Sequence, residues 1–257
     1  MLDIIFEDKY LIVVNKPCGV VVNKSETTSE PTLQDEVSEY LNLQNDNLGI
    51  GDRAGIVHRL DRETSGIILI AKDENTFLFL QNQFKNREVE KEYIGLAHGK
   101  VNLKSGLVDE PIGRVGAFGK FGVIKNGKEA QTSYRIISEY KINKRFLETL
   151  FNKNNITKNR KRYLEKHACF YSLVSFFPKT GRTHQIRVHA KSIGLPLVSD
   201  SLYCPSKLFS FDKMWCPRLF LHSKSIKFYH PKNKKILSFS VDLPKDLKSA
   251  ILNLEEI

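Results

Sequence analysis

Gly55-Ile56-Val57-His58-Arg59-Leu60-Asp61-Arg62-Glu63-Thr64-Ser65-Gly66 runs without a break into Ile67-Ile68-Leu69-Ile70-Ala71. The second run is short, apolar, rich in β-branched residues and bounded by Gly66 and Lys72, which predicts a buried strand. The first places one carboxylate, Asp61, between two arginines, Arg59 and Arg62. A polar cluster mounted on a rigid strand is where binding and catalytic groups tend to sit. Taken alone, the cluster reads more simply as a surface turn with an ordinary ion pair.

A second polar stretch shifts that balance. Lys179-Thr180-Gly181-Arg182-Thr183-His184-Gln185-Ile186-Arg187-Val188-His189-Ala190 predicts a turn and then a helix, capped near Arg182 or Thr183 and closed by Gly194-Leu195-Pro196. First-turn amides together with Arg182 and Arg187 would make an anion site. Ile186 and Val188 would be buried beside the charges, which then need partners. Asp61 is the expected partner of Arg187. His184 and His189 do not share a helical face, so no metal is expected.

The other elements follow from period and punctuation. Strands are expected over residues 2–6, 10–15 and 20–22, with a Pro-Cys-Gly turn before the third. Thr32, with Asp35 three residues on, should cap a helix bearing Leu33, Val37, Tyr40 and Leu41 on one face. Asp73 should cap another over about 74–86, with Phe77, Leu80, Gln81 and Phe84 aligned. Strands are expected at 91–99, 130–137 and 169–177. A glycine-rich hairpin or loop excursion fills 104–128, strands recur at 219–229 and 235–241, and an amphipathic helix follows Pro244. Strands dominate, helices are interspersed and no repeat is visible. The fold class is α+β, with a mixed, mostly antiparallel central sheet and flanking helices.

Charge points to the partner. The chain carries 40 Lys+Arg against 29 Asp+Glu, a net +11, which favours a polyanion. Between Lys141 and His167 stand nine Lys/Arg against two acids, so that stretch holds +7 of the total. It reads equally as a solvated insertion or as an arm that rides on phosphates. The four cysteines (Cys18, Cys169, Cys204, Cys216) are scattered without a C-x-x-C pair, which predicts reduced thiols. No apolar run is long enough to span a bilayer and no secretory pattern opens the chain. A cytoplasmic protein is expected.

Taken together, His58-Arg59-Leu60-Asp61-x-x-Thr64-Ser65-Gly66, Lys91-Glu92-Tyr93 and Gly181-Arg182-Thr183-His184-Gln185-Ile186-Arg187-Val188-His189 resemble the RluA-type RNA pseudouridine synthases. The opening Glu7-Asp8 … Val13-Val14-Asn15-Lys16-Pro17-x-Gly19 and the closing Leu221-His222 … Phe228-Tyr229-His230-Pro231 fit the same family. The likeness covers most of the chain, and the motifs are specific in combination. It implies isomerisation of uridine to pseudouridine within RNA. Asp61 would be the catalytic residue, Tyr93 would pack on the target uracil, and Arg187 would pair with the aspartate. Arg59 would fill the gap left by the flipped nucleotide. His58, Arg62, Arg182 and His184 are expected at the RNA.

The residue types suit that chemistry. Extruding a base costs roughly a few kcal/mol, and a planar cation such as Arg59 can stack in the vacated space. Breaking a glycosidic bond builds positive character on the sugar, which an ionised carboxylate stabilises. A tyrosine face is worth roughly 1–3 kcal/mol per stacked base. No redox step or group donor is needed, so neither cofactor nor metal is expected. Thr64 and Lys72 are expected to be structural.

Two departures from the family pattern stand out. Ser199 replaces the usual glycine before Asp200, and the 141–167 insertion is long. The chain is expected to be one catalytic domain over 1–257, without a separate N-terminal RNA-binding domain, and a monomer. That start tilts the expected substrate towards a tRNA stem-loop over ribosomal RNA. An RNA-binding protein without catalysis is the alternative from another class. The carboxylate among RNA-facing residues speaks against it. A nuclease would need paired carboxylates or a histidine pair, and a membrane-surface protein would need a more apolar basic helix.

Overall fold

The computed structural model describes every residue except 1, 26–27, 44–47, 50–52, 101–102 and 117–118. Along the chain run β1 (Ile4–Glu7), β2 (Leu11–Lys16), α1 (Leu33–Tyr40), β3 (Ser65–Ala71) and α2 (Glu74–Lys85). Then come β4 (Glu90–His98), β5 (Ser105–Asp109), β6 (Ile112–Arg114), β7 (Phe121–Val123) and β8 (Gln131–Ile142). Two helices, α3 (Lys144–Lys153) and α4 (Lys158–His167), precede β9 (Phe170–Pro178), α5 (Gln185–Ser192) and α6 (Ser206–Asp212). The chain closes with β10 (Leu221–Tyr229), β11 (Ile236–Ser240), α7 (Lys245–Ile251) and β12 (Leu254–Glu256). It divides into two compact units, Met1–Glu92 with His222–Asp242, and Tyr93–Leu221 with Leu243–Ile257.

In the first unit the strands lie in the order β1-β2-β3-β10, and β11 pairs with β10. Asp8 makes the β1–β2 turn by accepting the amides of Tyr10 and Leu11 at 2.7 and 2.9 Å. β2 pairs antiparallel with β3, and β3 pairs parallel with β10, which makes the sheet mixed. Every residue of β3 is buried, as its uninterrupted apolar run predicts. Gly66 sits at φ 117, where an added Cβ would lie 2.2 Å from the Ser223 carbonyl oxygen, so the parallel pairing demands glycine there. Asp73 caps α2 through the Thr76 amide, and Phe77 and Leu80 pack against Leu11, Val13, Ile67 and Leu69. Thr32 and Asp35 form the expected capping box of α1.

Residues 20–22 are not a strand. The carbonyls of Val21 and Val22 instead accept the amides of Leu33 and Gln34, so the segment is tied to the start of α1. On α2 the aligned face is Phe77 and Leu80, while Gln83, not Gln81, is buried. Gln83 bonds both the amide and the carbonyl of Tyr229, at 2.7 and 2.9 Å.

The second unit is antiparallel, in the order β4-β9-β8-β12, with β5 also on β8. The glycine-rich excursion is a hairpin of β6 with β7. β8 runs on to Ile142, beyond the expected end near 137, because β12 pairs with its last residues. The basic insertion folds into α3 and α4. Leu147, Leu150, Phe151 and Leu164 enter a core with Tyr171, Phe211 and Trp215. None of the four cysteines is in a disulfide. Among the described residues no helix is long and apolar enough to cross a membrane.

Candidate active site

In the first unit, β3 supports the Asp61 turn from behind. The Asp61 carbonyl accepts the Thr64 amide at 3.1 Å, closing a turn one residue before the strand. Lys16 is 1% exposed, and its ammonium donates to the carbonyls of Pro17, Val20 and Arg62 at 2.8, 2.9 and 3.2 Å. A buried ammonium needs its donors satisfied. Three carbonyls from two loops satisfy this one, which ties the loop after β2 to the Asp61 turn. Arg62 adds to the tie, since its carbonyl accepts the Gly19 amide and its guanidinium donates to the Gly19 carbonyl at 2.9 Å and to Glu30 at 2.5 Å. Asp61 is half-buried and Arg59 exposed on this backbone.

His58, expected at the RNA, is held by the fold. Its Nε2 accepts the Leu69 amide at 3.0 Å, and its ring lies 4.8 Å from that of Phe84. Burial, and then the nearby Lys91 ammonium, push its pKa down to about 3. The ring is therefore neutral at pH 7, with its proton on Nδ1, since Nε2 is an acceptor. Burial lowers the pKa of Lys91 itself to about 8, and its ammonium sits 5.7 Å over the Phe84 ring.

In the second unit, Tyr93 opens the run of β4 that pairs with β9, opposite Phe176, and is 8% exposed. α5 begins at Gln185, and its N-cap is His184 in the left-handed region (φ 54), a residue or two beyond the expected cap. Gln185 fixes this start. Its Oε1 accepts the Thr180 hydroxyl and the Arg182 amide, while its Nε2 donates to the Gln131 carbonyl and Thr132 Oγ1. All four of its hydrogen-bonding positions are filled, so the buried amide stabilises one geometry.

Arg187 is 3% exposed and donates from Nε and an Nη to the two oxygens of Asp200, at 2.8 and 2.7 Å. Asp200 is fully buried and also accepts the amides of Leu202 and Tyr203. The Tyr203 ring lies 5.1 Å from the Arg187 guanidinium, and its hydroxyl accepts the Phe121 amide and bonds His184 Nδ1 at 3.0 Å. Such a bidentate, buried pair is strong and directional. Arg182 is exposed and donates to the Glu129 carbonyl at 2.9 Å.

His189 is committed internally. Its Nε2 donates to the Glu110 carbonyl and its Nδ1 bonds Thr132 Oγ1, both at 2.9 Å, and burial lowers its pKa.

Asp200 was not among the expected site residues. The need for a partner was legible, because Arg187 lies between Ile186 and Val188, which are buried. Asp200 stands 13 positions on, and nothing in the spacing announces it. Ser199, the departure from the family glycine, adopts φ 56, the conformation glycine favours. Its amide donates to Asp212 at 2.9 Å and its hydroxyl to the Cys216 carbonyl at 2.7 Å, which holds the turn. Asp212 also pairs with buried His98 at 2.8 Å.

Residues 10–192 match the model of the RNA pseudouridylate synthase family. The chain is 33% identical over 258 residues to the uncharacterized RNA pseudouridine synthase YlyB of Bacillus subtilis, covering 99% of this chain and 73% of that protein. It is likewise 33% identical to the ribosomal large subunit pseudouridine synthase D of Nitrosomonas europaea, covering 98% of this chain and 66% of the relative. Among solved structures, human RNA Pseudouridylate Synthase Domain Containing 1 superposes with a TM-score of 0.70 at 21% identity, over 100% of this chain and 89% of that one, and so shares the fold. The chain belongs to the RNA pseudouridine synthases, isomerases that act on RNA.

Proposed function

We propose that this pseudouridine synthase acts in the cytoplasm on ribosomal RNA, with Asp61 as its catalytic residue. Three relatives carry the ribosomal large subunit in their names, one of Nitrosomonas europaea and two of Buchnera aphidicola. That outweighs the lean towards tRNA drawn from the sequence. The target uridine is flipped out, and Arg59 occupies its place in the stack. Asp61 acts on the sugar or the base as the bond from C1′ to N1 breaks. The uracil turns, C1′ joins C5, the proton on C5 leaves to solvent, and N1 takes up a proton in its place. Atoms and electrons balance with no donor or oxidant. Tyr93 offers its ring to the uracil, and Arg187 serves the same reaction from its bidentate seat on Asp200. Arg182 and His184 lie along the RNA.

The observation that carries this reading is the Asp61 turn, where a half-buried carboxylate sits on backbone pinned by Lys16 and by Arg62. A preorganised carboxylate can meet charge that develops in a transition state without reorganising. Tritium release from RNA labelled at uridine C5 tests it, with ribosomal RNA and tRNA compared. Ribosomal RNA should release tritium, and Asp61→Asn should lower the rate by at least about 10³-fold while RNA affinity stays close to that of the wild type. Release by Asp61→Asn at the wild-type rate would remove Asp61 from the chemistry, and release from tRNA alone would reverse the substrate assignment.

A further inference from the structure

The basic insertion is folded, and the way it is folded points to a partner. Leu147, Leu150 and Phe151 on α3 and Leu164 on α4 are buried, so each helix has one face in the core. Lys144, Arg145, Lys153, Lys158, Arg162 and Lys166 are exposed. Among the described residues, none of these six lies within ion-pair distance of a carboxylate. The two acids of these helices, Glu148 and Glu165, are exposed as well, but cations outnumber them, and such an excess destabilises the folded state by self-repulsion.

The position of the charges along each helix adds to this. Neither helix has an acid in its first turn, and both begin with lysine, followed closely by arginine. Cations at a helix N-terminus oppose the macrodipole. The first-turn cations are therefore placed against helix stability, whereas Lys153 and Lys166 stand in last turns, where the dipole favours them. The patch extends onto α6, where the Lys207 ammonium lies 4.9 Å over the Tyr163 ring of α4. At its root an open depression is lined by Lys141, Asn143, Lys144, Arg145 and Glu255, and the Glu255 carboxylate is engaged by Asn143.

The register sets the distance from Tyr93. β9 pairs Phe176 with Tyr93 and Phe170 with Lys141, where the insertion leaves and rejoins the sheet. Six residues of strand separate the two ends, about 20 Å at roughly 3.3 Å each. We propose that the cationic face of α3 and α4 is a second RNA-docking surface, taking backbone phosphates about 20 Å from the target uridine. This rests on the reading of the chain as an RNA pseudouridine synthase. Phosphate contacts of this kind position an RNA without reading its sequence.

The test compares the wild type with the quadruple variant Arg145→Glu, Lys158→Glu, Arg162→Glu and Lys166→Glu, and with glutamine at the same four positions. Circular dichroism checks the fold of each. Affinity is measured between about 50 and 200 mM KCl for two RNA hairpins, with stems of about four and about twenty base pairs. Each lost phosphate contact should flatten the plot of log affinity against log salt by about 1. The long hairpin should lose up to about 4 in slope with either variant, and the short one almost nothing. Unchanged slopes with both RNAs, or equal losses on both, would overturn the proposal. So would loss of binding to phosphatidylserine vesicles with RNA binding intact. Tritium release from ribosomal RNA by the wild type separately reports the parent reading: if it is absent, that reading fails while the slopes still decide the patch.

Discussion

The Asp61 turn and the Arg187 helix hold their charges by opposite means. The turn is fixed through its backbone, with the Lys16 ammonium and the Gly19 amide both donating to the Arg62 carbonyl while the Asp61 side chain stays half-buried. Arg187 is fixed through its side chain, which is buried and locked by both oxygens of Asp200. A carboxylate that meets substrate gains from a rigid mount and an accessible head. A buried guanidinium can only be tolerated if its charge is answered on the spot. On the proposed role of Asp61, function and stability are separable at the first position, whereas the second is bound up with stability.

Removing the counter-charge should produce the largest effect. Asp200→Ala leaves the Arg187 cation in the interior and should cost about 3–5 kcal/mol, whereas Asp61→Asn should change stability by less than about 1 kcal/mol. Urea unfolding of the two variants measures the contrast, and equal losses would erase the distinction drawn between the two regions. Ser199→Ala should cost less, about 1–3 kcal/mol. It leaves the Cys216 carbonyl without its donor, and alanine keeps the unfavourable left-handed conformation. A variant as stable as the wild type would show that the hydroxyl does not hold the turn.

The smallest effect concerns pH. His58 titrates at about 3 in the folded chain against an ordinary 6.5, so below about pH 6.5 the unfolded chain takes up a proton that the folded chain refuses. The contribution of His58 to stability is therefore complete above that pH and declines as pH falls towards 3. His58→Gln, which can still accept the Leu69 amide, should lose less melting temperature than the wild type between pH 7 and pH 5. An equal or greater loss would mean that His58 is protonated in the folded state.

Much of this was legible from local pattern. The buried β3, the caps at Thr32 and Asp73 and the α+β class follow from period and from capping chemistry, which act over a few residues. Where the reading failed, the reason was long range. Residues 20–22 have the composition of a strand, yet Val21 and Val22 find their partners at the start of α1. α6 and β12 were not foreseen, and short elements of this kind depend on the core they join. The contacts that hold His58 and Arg62 are likewise long range or cross-element, one on the backbone of β3 and the other at Gly19 and Glu30.

The sequence alone therefore determined the class of chemistry: an aspartate in a His-Arg-Leu-Asp motif, a tyrosine, a second arginine, and an excess of cations that calls for a polyanion. Only the tertiary structure decided which groups answer the buried charges. Asp200 is 13 residues from Arg187, and the carbonyl of Arg62 is 46 residues from Lys16. Residue type makes a buried charge demand a partner, but its desolvation is relieved only by groups that the folded backbone brings within about 3 Å. No local rule contains that distance.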